Sequence, residues 1–310
     1  MDNNPTNVQP EPVASDRPPE FVHVVEVGPR DGLQNEATPI PTADKIAFVN
    51  DLSAAGLPTV EVTSFVNPAA VPQLADATDV LSGIEQRQGV RYLVLVPNER
   101  GLDRAIQAGA DSIAVFAAAT EGFSRANLRA SIDDAFTRFE AVARRATDLG
   151  IYVRGYVSVA LTCPFDGPVE PADATKVAQR LFDIGCAEVA LADTIGTAKP
   201  VQVDALLSHA LRTLPVDRIA LHLHDTSGHA LANVDVGLAA GIRIFDSAAG
   251  GLGGCPFAPG APGNLSTESL IGYLHDGGYV TGVDVQKVHS ASVSIKRLLS
   301  SASSAEEAVG

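Results

Sequence analysis

Two histidines that alternate with leucines are the residues whose spacing most directly suggests chemistry. They lie in the segment Leu221-His222-Leu223-His224-Asp225. Successive side chains of a strand point to opposite faces, so His222 and His224 share one face, about 6.6 Å apart along the chain. With the leucines packed under covering helices, both imidazoles point into the apolar middle of the fold, where unpaired polar groups are costly. The pattern favours a pair of metal ligands over the alternative of two histidines hydrogen-bonded to backbone.

The balance of charge limits the partners of this chain. Its 310 residues include 22 Lys+Arg against 37 Asp+Glu, a net charge of −15. This excess of acid disfavours nucleic acid and anionic membrane surfaces as main partners, and it requires any anionic substrate to meet a local cationic site. Because no stretch approaches roughly 18 continuous apolar residues, we predict no membrane span.

The three cysteines, Cys163, Cys186 and Cys255, are too few and too widely spaced for a disulfide framework or a cysteine-based zinc site. We therefore expect free thiols and a cytoplasmic location. Residues 1–20 contain five prolines among Asn, Asp and Glu. This composition predicts a disordered tail, because it offers hardly any apolar surface to bury.

A repeated unit of a helical stretch, a glycine and a short β-branched run fills the chain from Phe21 onward. The glycines stand where the end of a helix needs a positive φ, and they are Gly56, Gly109, Gly150, Gly185 and Gly241. With the runs at 22–27, 90–96 and 218–224, the strand count reaches eight. Strands that alternate with helices pair in parallel, and eight units over about 250 residues predict a (β/α)8 TIM barrel. The competing doubly wound sheet lacks a Gly-rich nucleotide fingerprint after the first strand.

The predicted organisation has four parts. Residues 1–20 form the tail, 21–275 the catalytic barrel, 276–300 a C-terminal helical extension and 301–310 a flexible tail. A barrel builds its active site at the carboxyl ends of its strands, so the polar residues there should converge. These polar clusters lie at 28–36, 61–64, 193–194, 224–226, 250–257 and 263–268.

These clusters resemble the motifs of the 3-hydroxy-3-methylglutaryl-CoA lyase family, metal-dependent enzymes grouped with isopropylmalate and homocitrate synthases. The resemblance spans residues 21–290. Its motifs are GPRDGLQNE at 28–36, TSFV at 63–66, DTIG at 193–196, HLHDT at 222–226 and GLGGCPFA at 251–258. The synthases usually have Asp-Thr before Arg-Asp-Gly, whereas this chain has Val27-Gly28-Pro29. The resemblance therefore favours cleavage over condensation.

The resemblance implies that Asp31, His222, His224 and Asn264 bind a divalent metal ion. One carboxylate, two neutral imidazoles and an amide oxygen suit Mg²⁺ or Mn²⁺ and leave about two octahedral positions for substrate oxygens. Two alternatives come from the residues themselves. Asp31 could cap a helix or turn, and Asn264 could be the N-cap of the helix through Leu270.

The implied reaction is a retro-Claisen cleavage of 3-hydroxy-3-methylglutaryl-CoA, or of a relative with another 3-substituent, to acetyl-CoA and a keto acid such as acetoacetate. We expect Arg30 to stabilise charge on the thioester oxygen. Its alternative role is an ion pair with Glu61 or Asp193. The resemblance makes Cys255, in a glycine-rich loop expected to act as a lid, the proton relay. Glu61 and Asp193 are candidates for the general base or for orienting its neighbours.

We expect Gln34, Thr194 and Arg125 to contact the acyl-CoA substrate, Arg125 through the CoA phosphates unless it is ordinary surface. Ala37 stands where these lyases commonly have lysine, which leaves the acyl group open. The resemblance also suggests a homo-oligomer, with a dimer as our estimate, and a role in leucine degradation. A condensing acyltransferase and a non-catalytic metal-binding scaffold are the alternative functions.

Overall fold

Eight parallel strands form a closed barrel. The computed structural model describes residues 20–253 and 263–307, with side chains up to residue 300. The strands are β1 (His23–Glu26), β2 (Thr59–Ser64), β3 (Arg91–Leu95), β4 (Ser112–Ala118), β5 (Tyr152–Ser158), β6 (Glu188–Asp193), β7 (Ile219–Leu223) and β8 (Ile244–Ser247). Their order is β1-β8-β7-β6-β5-β4-β3-β2, and β1 pairs with both β8 and β2. The predicted (β/α)8 barrel is confirmed.

Helices cover the outside of the barrel. They are α1 (Thr42–Ala54), α2 (Ala77–Gly83), α3 (Glu99–Gln107), α4 (Glu121–Leu128), α5 (Ile132–Asp148), α6 (Pro171–Asp183), α7 (Pro200–Ala210), α8 (Ala230–Ala239), α9 (Thr267–Asp276) and α10 (Val285–Glu307). Outward strand residues and inward helix residues form one continuous apolar core. In the described ranges, no helix is both long enough and apolar enough to cross a bilayer.

Short elements connect these helices and strands. Helical turns occupy Gly28–Gly32, Pro72–Leu74, Val216–Arg218 and Ala249–Gly251, and Thr162–Cys163 pairs antiparallel with Gly167–Pro168 after β5. The C-terminal helix α10 packs against α1, α9 and the turn Ala249–Gly251. Of the predicted tails, residues 1–19 and 308–310 lie outside the described ranges. The predicted domain boundaries therefore stay predictions.

The interior of the barrel differs from its outer core. A small separate cluster consists of Leu95, Ala114, Tyr156, Ala190 and Ala220. Three alanines among these five residues leave space for the long side chain of Arg154 on β5, which is 1% exposed. Its guanidinium donates two hydrogen bonds to Asp246 on β8, at 2.9 and 2.7 Å, and one to Glu188 on β6 at 2.6 Å. The barrel therefore encloses a paired charge network rather than apolar side chains alone.

Gly237→Ala should lower the free energy of unfolding. Gly237 lies in α8, where a Cβ would come within 2.7 Å of Leu221 Cδ1 and 3.0 Å of the Phe245 ring. Alanine gains about 1 kcal/mol in helix propensity, but overpacking a full core costs about 1–3 kcal/mol. We expect a net loss of about 1 kcal/mol in chemical denaturation.

Gly272→Ala in α9 is the matched control. An added Cβ at Gly272 meets nothing within 4 Å, so only the propensity gain of about 1 kcal/mol remains. This variant should therefore be more stable than the unchanged protein. Equal stabilisation by both alanines would contradict the tight packing of α8 on β7 and β8.

Candidate active site

Strand β7 delivers two imidazoles to the carboxyl end of the barrel. Leu221 and Leu223 are buried in the outer core, so His222 and His224 project inward from the alternate positions. Their Nε2 atoms are 3.2 Å apart and their ring centroids 5.2 Å apart. Two ring nitrogens at this distance can share one proton or bind one cation. The imidazoles meet at one point, as the His-x-His spacing predicted.

A turn after β1 places a carboxylate beside the histidines. Within Gly28–Gly32, the Asp31 N–H donates to the Val27 carbonyl oxygen at 2.7 Å. Asp31 Oδ2 consequently lies 4.0 Å from His224 Nε2. One ligand atom from each of Asp31, His222 and His224 lies within 4.8 Å of the other two. This is a compact donor set of mixed oxygen and nitrogen.

Backbone pairing holds Asn264 next to the same histidines. The Leu265 N–H donates to the carbonyl of Leu223, the last residue of β7, at 3.0 Å, and the Asp225 N–H donates to the Gly263 carbonyl at 2.7 Å. His224 and Asn264 are antiparallel bridge partners in this short ladder. The position of the amide is therefore set by main-chain hydrogen bonds and not by its side chain alone.

The side chain of Asn264 binds within the site. Its Nδ2 donates to Asp31 Oδ2 at 2.9 Å and to the Leu252 carbonyl at 3.1 Å. Its Oδ1 is buried and has no hydrogen-bond partner among the described residues. Helix α9 is capped instead by Ser266, whose hydroxyl accepts from the Ser269 N–H at 3.4 Å. The alternative in which Asn264 is the N-cap is wrong.

These side chains fit a divalent cation. Burial, reinforced by the charge of His222, lowers the pKa of His224 to about 4, so its nitrogen lone pair is available near pH 7. Burial alone would raise the pKa of Asp31, but the charges of Arg30 and the two histidines outweigh it and lower that pKa. Neighbouring ligands of an octahedral ion with bonds of about 2.1 Å lie about 3 Å apart. The 3.2 Å between the imidazole nitrogens is close to this spacing.

Arg30 is held between two carboxylates at the mouth of the barrel. Its Nε donates to Glu61 Oε2 and its Nη1 to Asp31 Oδ1, both at 2.7 Å. The ion pair with Glu61 is thus present, whereas no ion pair with Asp193 occurs among the described residues. Arg30 and Asn264 occupy the two oxygens of Asp31. The turn Gly28–Gly32 has no side-chain cap, so the structure does not bear out the alternative role of Asp31 as a cap of this turn.

Glu61 and Asp193 are buried carboxylates with a raised pKa. Burial is the largest cause for both, and for Glu61 it exceeds the lowering effect of Arg30. Asp193 Oδ2 accepts from the Ala198 N–H at 2.9 Å. Glu61 Oε1 and Asp193 Oδ1 have no hydrogen-bond partner in the part of the chain that the structure describes. A carboxylate with a raised pKa and an open oxygen can act as a general base closer to neutral pH.

Sequence reasoning missed Asp246 on β8, which contacts His222. The buried Asp246 Oδ2 lies 3.1 Å from His222 Nδ1, and Arg154 binds the same carboxylate. A metal-binding histidine usually donates its second ring N–H to such a group, which fixes the tautomer and aims Nε2 at the ion. The signal was available in the sequence. Asp246 follows the outward Phe245, so the period of two predicts that it faces the interior.

A cavity of about 690 Å³ borders part of this site, while Glu61, Asp193, Asp246 and Asn264 are not among its lining residues. Gln34 and Thr194 line it, together with Arg30, Asp31 and both histidines. Further lining residues are Asn67, Asn98, Phe116, Phe123, Arg138, Tyr156 and Phe165. Arg125 is not among the lining residues, is 71% exposed and pairs with Glu121 at 3.4 Å. Sequence reasoning missed Arg138 because a single arginine on a surface helix carries no distinctive pattern.

The predicted catalytic Cys255 lies outside the described residues. The segment that leads to it begins at Gly250 and Gly251, both with φ of 65°. The Gly250 N–H donates to Glu268 Oε2 at 2.7 Å. Of the other cysteines, Cys163 and Cys186 are free and buried.

Comparison with known proteins identifies the family of this chain. A family model described as HMGL-like matches residues 21–295. The cytoplasmic 3-hydroxy-3-methylglutaryl-CoA lyase of Rattus norvegicus is 51% identical over 88% of this chain and 80% of its own length. The chain belongs to the HMG-CoA lyase family. The family predicted from the motifs is confirmed.

Solved structures of the family have the same fold. The HMG-CoA lyase from Brucella melitensis is 48% identical with a TM-score of 0.89, over 91% of this chain and 99% of that one. An HMG-CoA lyase from Acenitobacter baumannii, solved with coenzyme A and 3-methylmalate, is 36% identical with a TM-score of 0.86, over 90% and 92% of the two chains. The barrel described here is therefore the barrel of the HMG-CoA lyase family.

Asp246→Asn should weaken Mn²⁺ binding about 10–100-fold, because an amide does not select the His222 tautomer as a carboxylate does. Titration of free Mn²⁺ by electron paramagnetic resonance measures the affinity. Glu188→Gln is the matched control, since it alters another contact of Arg154 and leaves Asp246 in place. Unchanged affinity in folded Asp246→Asn would contradict the orienting role of this carboxylate.

The same variant should shift the pH dependence of Mn²⁺ binding. Burial lowers the pKa of His222, but the hydrogen bond and charge of Asp246 outweigh it and raise that pKa above its ordinary 6.5. Protons therefore compete at His222 as the pH falls through this raised value, and affinity is highest above it. Asp246→Asn removes the raising effect, so the midpoint should move to lower pH. A midpoint that stays in place in the same titration would contradict this assignment.

Proposed function

We infer that this protein is a carbon–carbon lyase that cleaves 3-hydroxy-3-methylglutaryl-CoA to acetyl-CoA and acetoacetate. The observation that carries the inference is the meeting of Asp31, His222 and His224 at one point, beside Arg30, in a member of this family. Relatives about half identical to this chain are named as enzymes of this activity. The condensing acyltransferase and the non-catalytic scaffold are therefore not favoured.

Mg²⁺ or Mn²⁺ is the proposed cofactor, with Asp31, His222, His224 and Asn264 as ligands. The carboxylate and amide oxygens suit Mg²⁺, and the imidazoles suit Mn²⁺. When bound, the ion lowers the pKa of the substrate's 3-hydroxyl group and orients its oxygens. The buried Oδ1 of Asn264, which has no partner among the described residues, supports its place in this set.

Arg30 stabilises the negative charge that reaches the thioester oxygen as the carbon–carbon bond breaks. Its guanidinium lines the cavity, and Glu61 and Asp31 hold it in place through Nε and Nη1. The cation is thus oriented before the substrate binds. Because Arg30 is buried, its charge acts more strongly than it would in bulk solvent.

Glu61 or Asp193 removes the proton of the 3-hydroxyl group. Arg30 donates a hydrogen bond to Glu61 and another to Asp31. Asp193 directly precedes Thr194, which lines the cavity. Each has a pKa raised by burial. Either carboxylate holds this proton as its conjugate acid while the carbon–carbon bond breaks to give acetoacetate and the enolate of acetyl-CoA. The enolate then takes a proton from Cys255 before acetyl-CoA leaves.

The anionic end of the acyl-CoA binds at the arginines of α4 and α5. Arg125 was the residue predicted from the sequence, and Arg138 lines the cavity. The pKa of Asp134 is lowered first by its hydrogen bond with Ser131 and then by the charges of Arg138 and Arg125. Two cations here would supply the local positive site that a chain of net charge −15 requires.

We also propose four further properties, which were predicted from the sequence. They are the four-part division of the chain, a dimeric assembly, a role in leucine degradation and a cytoplasmic location. The cysteine content supports the last of these. Family membership does not decide the compartment, because relatives named for the cytoplasm and for the mitochondrion both occur.

The activity is tested with 3-hydroxy-3-alkylglutaryl-CoA thioesters of increasing alkyl length, in Mg²⁺ or Mn²⁺. The methyl compound should yield acetyl-CoA and acetoacetate in equal amounts, and chelation of the metal should abolish turnover until metal is restored. A longer substrate that reacts faster would assign the acyl group that Ala37 leaves open. Release of free CoA thiol from acetyl-CoA and a 2-oxoacid would instead identify a condensing acyltransferase.

Cys255→Ala should lose most turnover while it keeps Mn²⁺ affinity. A thiol with an ordinary pKa of about 8.5 can give a proton to the acetyl-CoA enolate, whereas a methyl group cannot. Cys186→Ala is the matched control, because burial raises the pKa of the Cys186 thiol to about 12 and makes it a poor proton donor. An unchanged turnover number for Cys255→Ala would remove this cysteine from the mechanism.

A further inference from the structure

A single buried carboxylate joins three separate segments beneath the mouth of the barrel. Glu26, the last residue of β1, is 0% exposed. Its Oε1 accepts from the Gly28 N–H at 2.8 Å and the Ala249 N–H at 2.9 Å, and its Oε2 accepts from the Thr267 hydroxyl at 2.7 Å. No cationic side chain pairs with it within residues 20–253 and 263–300. Glu26 is thus stabilised by hydrogen bonds alone.

Each of its three partners lies in or next to a segment that carries part of the candidate site. Gly28 begins the turn that presents Arg30 and Asp31. Ala249 begins the turn that leads into the glycine-rich loop. Thr267 begins α9, three residues after Asn264. These segments are far apart in sequence, and Glu26 is a contact that all three share.

We propose that Glu26 is a positioning residue that sets where Asp31 and Asn264 lie relative to the two histidines. The assignment of these residues as metal ligands rests on the proposed function. The position of Gly28 supports the proposal, because a Cβ there would lie 2.6 Å from Glu26 Oε1. Only a glycine lets the turn approach the carboxylate this closely.

The energetics favour a positioning role over a neutral one. A carboxylate buried without a counter-charge is costly, and burial accordingly raises the pKa of Glu26 to about 7 against the lowering effect of its three hydrogen bonds. Hydrogen bonds from backbone N–H groups to a charged oxygen are about twice as strong as neutral ones, which offsets part of this cost. Loss of any of these hydrogen bonds would leave Glu26 less well compensated, so Glu26 constrains the three segments that supply them.

The hydroxyl groups beside Glu26 predict which substitution keeps these contacts. Thr267 Oγ1 lies 2.8 Å from Ser247 Oγ on β8. Because the single Thr267 proton goes to Glu26, Ser247 donates to Thr267. A glutamine amide oxygen can replace Oε1, and its NH₂ group can replace Oε2 if the two hydroxyls reverse their direction. Leucine has a similar size but accepts nothing.

The test compares Glu26→Gln and Glu26→Leu by hydrogen exchange of the metal-free protein, followed by Mn²⁺ titration. Glu26→Leu should lose amide protection together in residues 28–33, 249–253 and 263–267, and its Mn²⁺ affinity should fall at least tenfold. Glu26→Gln should restore both properties. Ser247→Ala is the control, because it removes only the outer hydroxyl and leaves the three bonds to Glu26.

Two results overturn the proposal. One is unchanged protection at 249–253 and 263–267 in folded Glu26→Leu, and the other is equal loss in the glutamine and leucine variants. Where Glu26→Leu does not fold, Thr267→Val removes a single donor, and unchanged exchange at 263–267 overturns the proposal in the same way. Hydrogen exchange does not need lyase activity or metal. Absence of lyase turnover in the unchanged protein would therefore reject the proposed function without deciding the role of Glu26.

Discussion

Burial of charge inside the barrel is the constraint on which this structure depends. Arg154 lies in the interior and is compensated by Asp246 and Glu188, while Arg30 is compensated by Glu61 and Asp31. Removing one partner of such a buried pair costs about 3–5 kcal/mol, because the other charge is left without compensation. The pairs therefore hold strands β2, β5, β6 and β8 and the turn after β1 in a fixed relation around the site. Stability and site geometry come from the same contacts.

In contrast to these paired charges, a few buried polar atoms have no hydrogen-bond partner among the described residues. The buried side-chain atoms without a hydrogen-bond partner in the described ranges are Glu61 Oε1, Asp193 Oδ1, His224 Nδ1, Asn233 Oδ1 and Asn264 Oδ1. Four of these five belong to residues that sequence reasoning assigned to the site. Such atoms are rare in folded proteins because each costs about 1–3 kcal/mol. Their concentration at one end of the barrel agrees with a site that receives a cation and a polar substrate.

Closure of the barrel brings the turn after β1 next to the segments that follow β8. β1 pairs with β8 in the register His23 to Ile244, which puts the turn after β1 beside the segments after β8. Asp31 and Asn264 thereby form a hydrogen bond across 233 residues of sequence. The ladder at 263–266 and the Glu26 contacts then limit how far these segments can move. The arrangement explains how a turn, rather than a strand, can hold a ligand atom of Asp31 within 4.8 Å of those of His222 and His224.

The sequence by itself determined the barrel, the family and the convergence of Asp31 with His222 and His224 at the mouth. These rest on local patterns: period-two strands, glycines that end helices, and motifs such as His222-Leu223-His224. It did not identify Asp246, Arg138 or Glu26, and it left open whether Arg30 pairs with Glu61 or Asp193. Only the tertiary structure decided these points, because each depends on contacts between distant parts of the chain, 92 residues for Arg154 and Asp246 and 241 for Glu26 and Thr267. A local pattern states which face a side chain occupies, whereas its partner is set by the register in which the barrel closes.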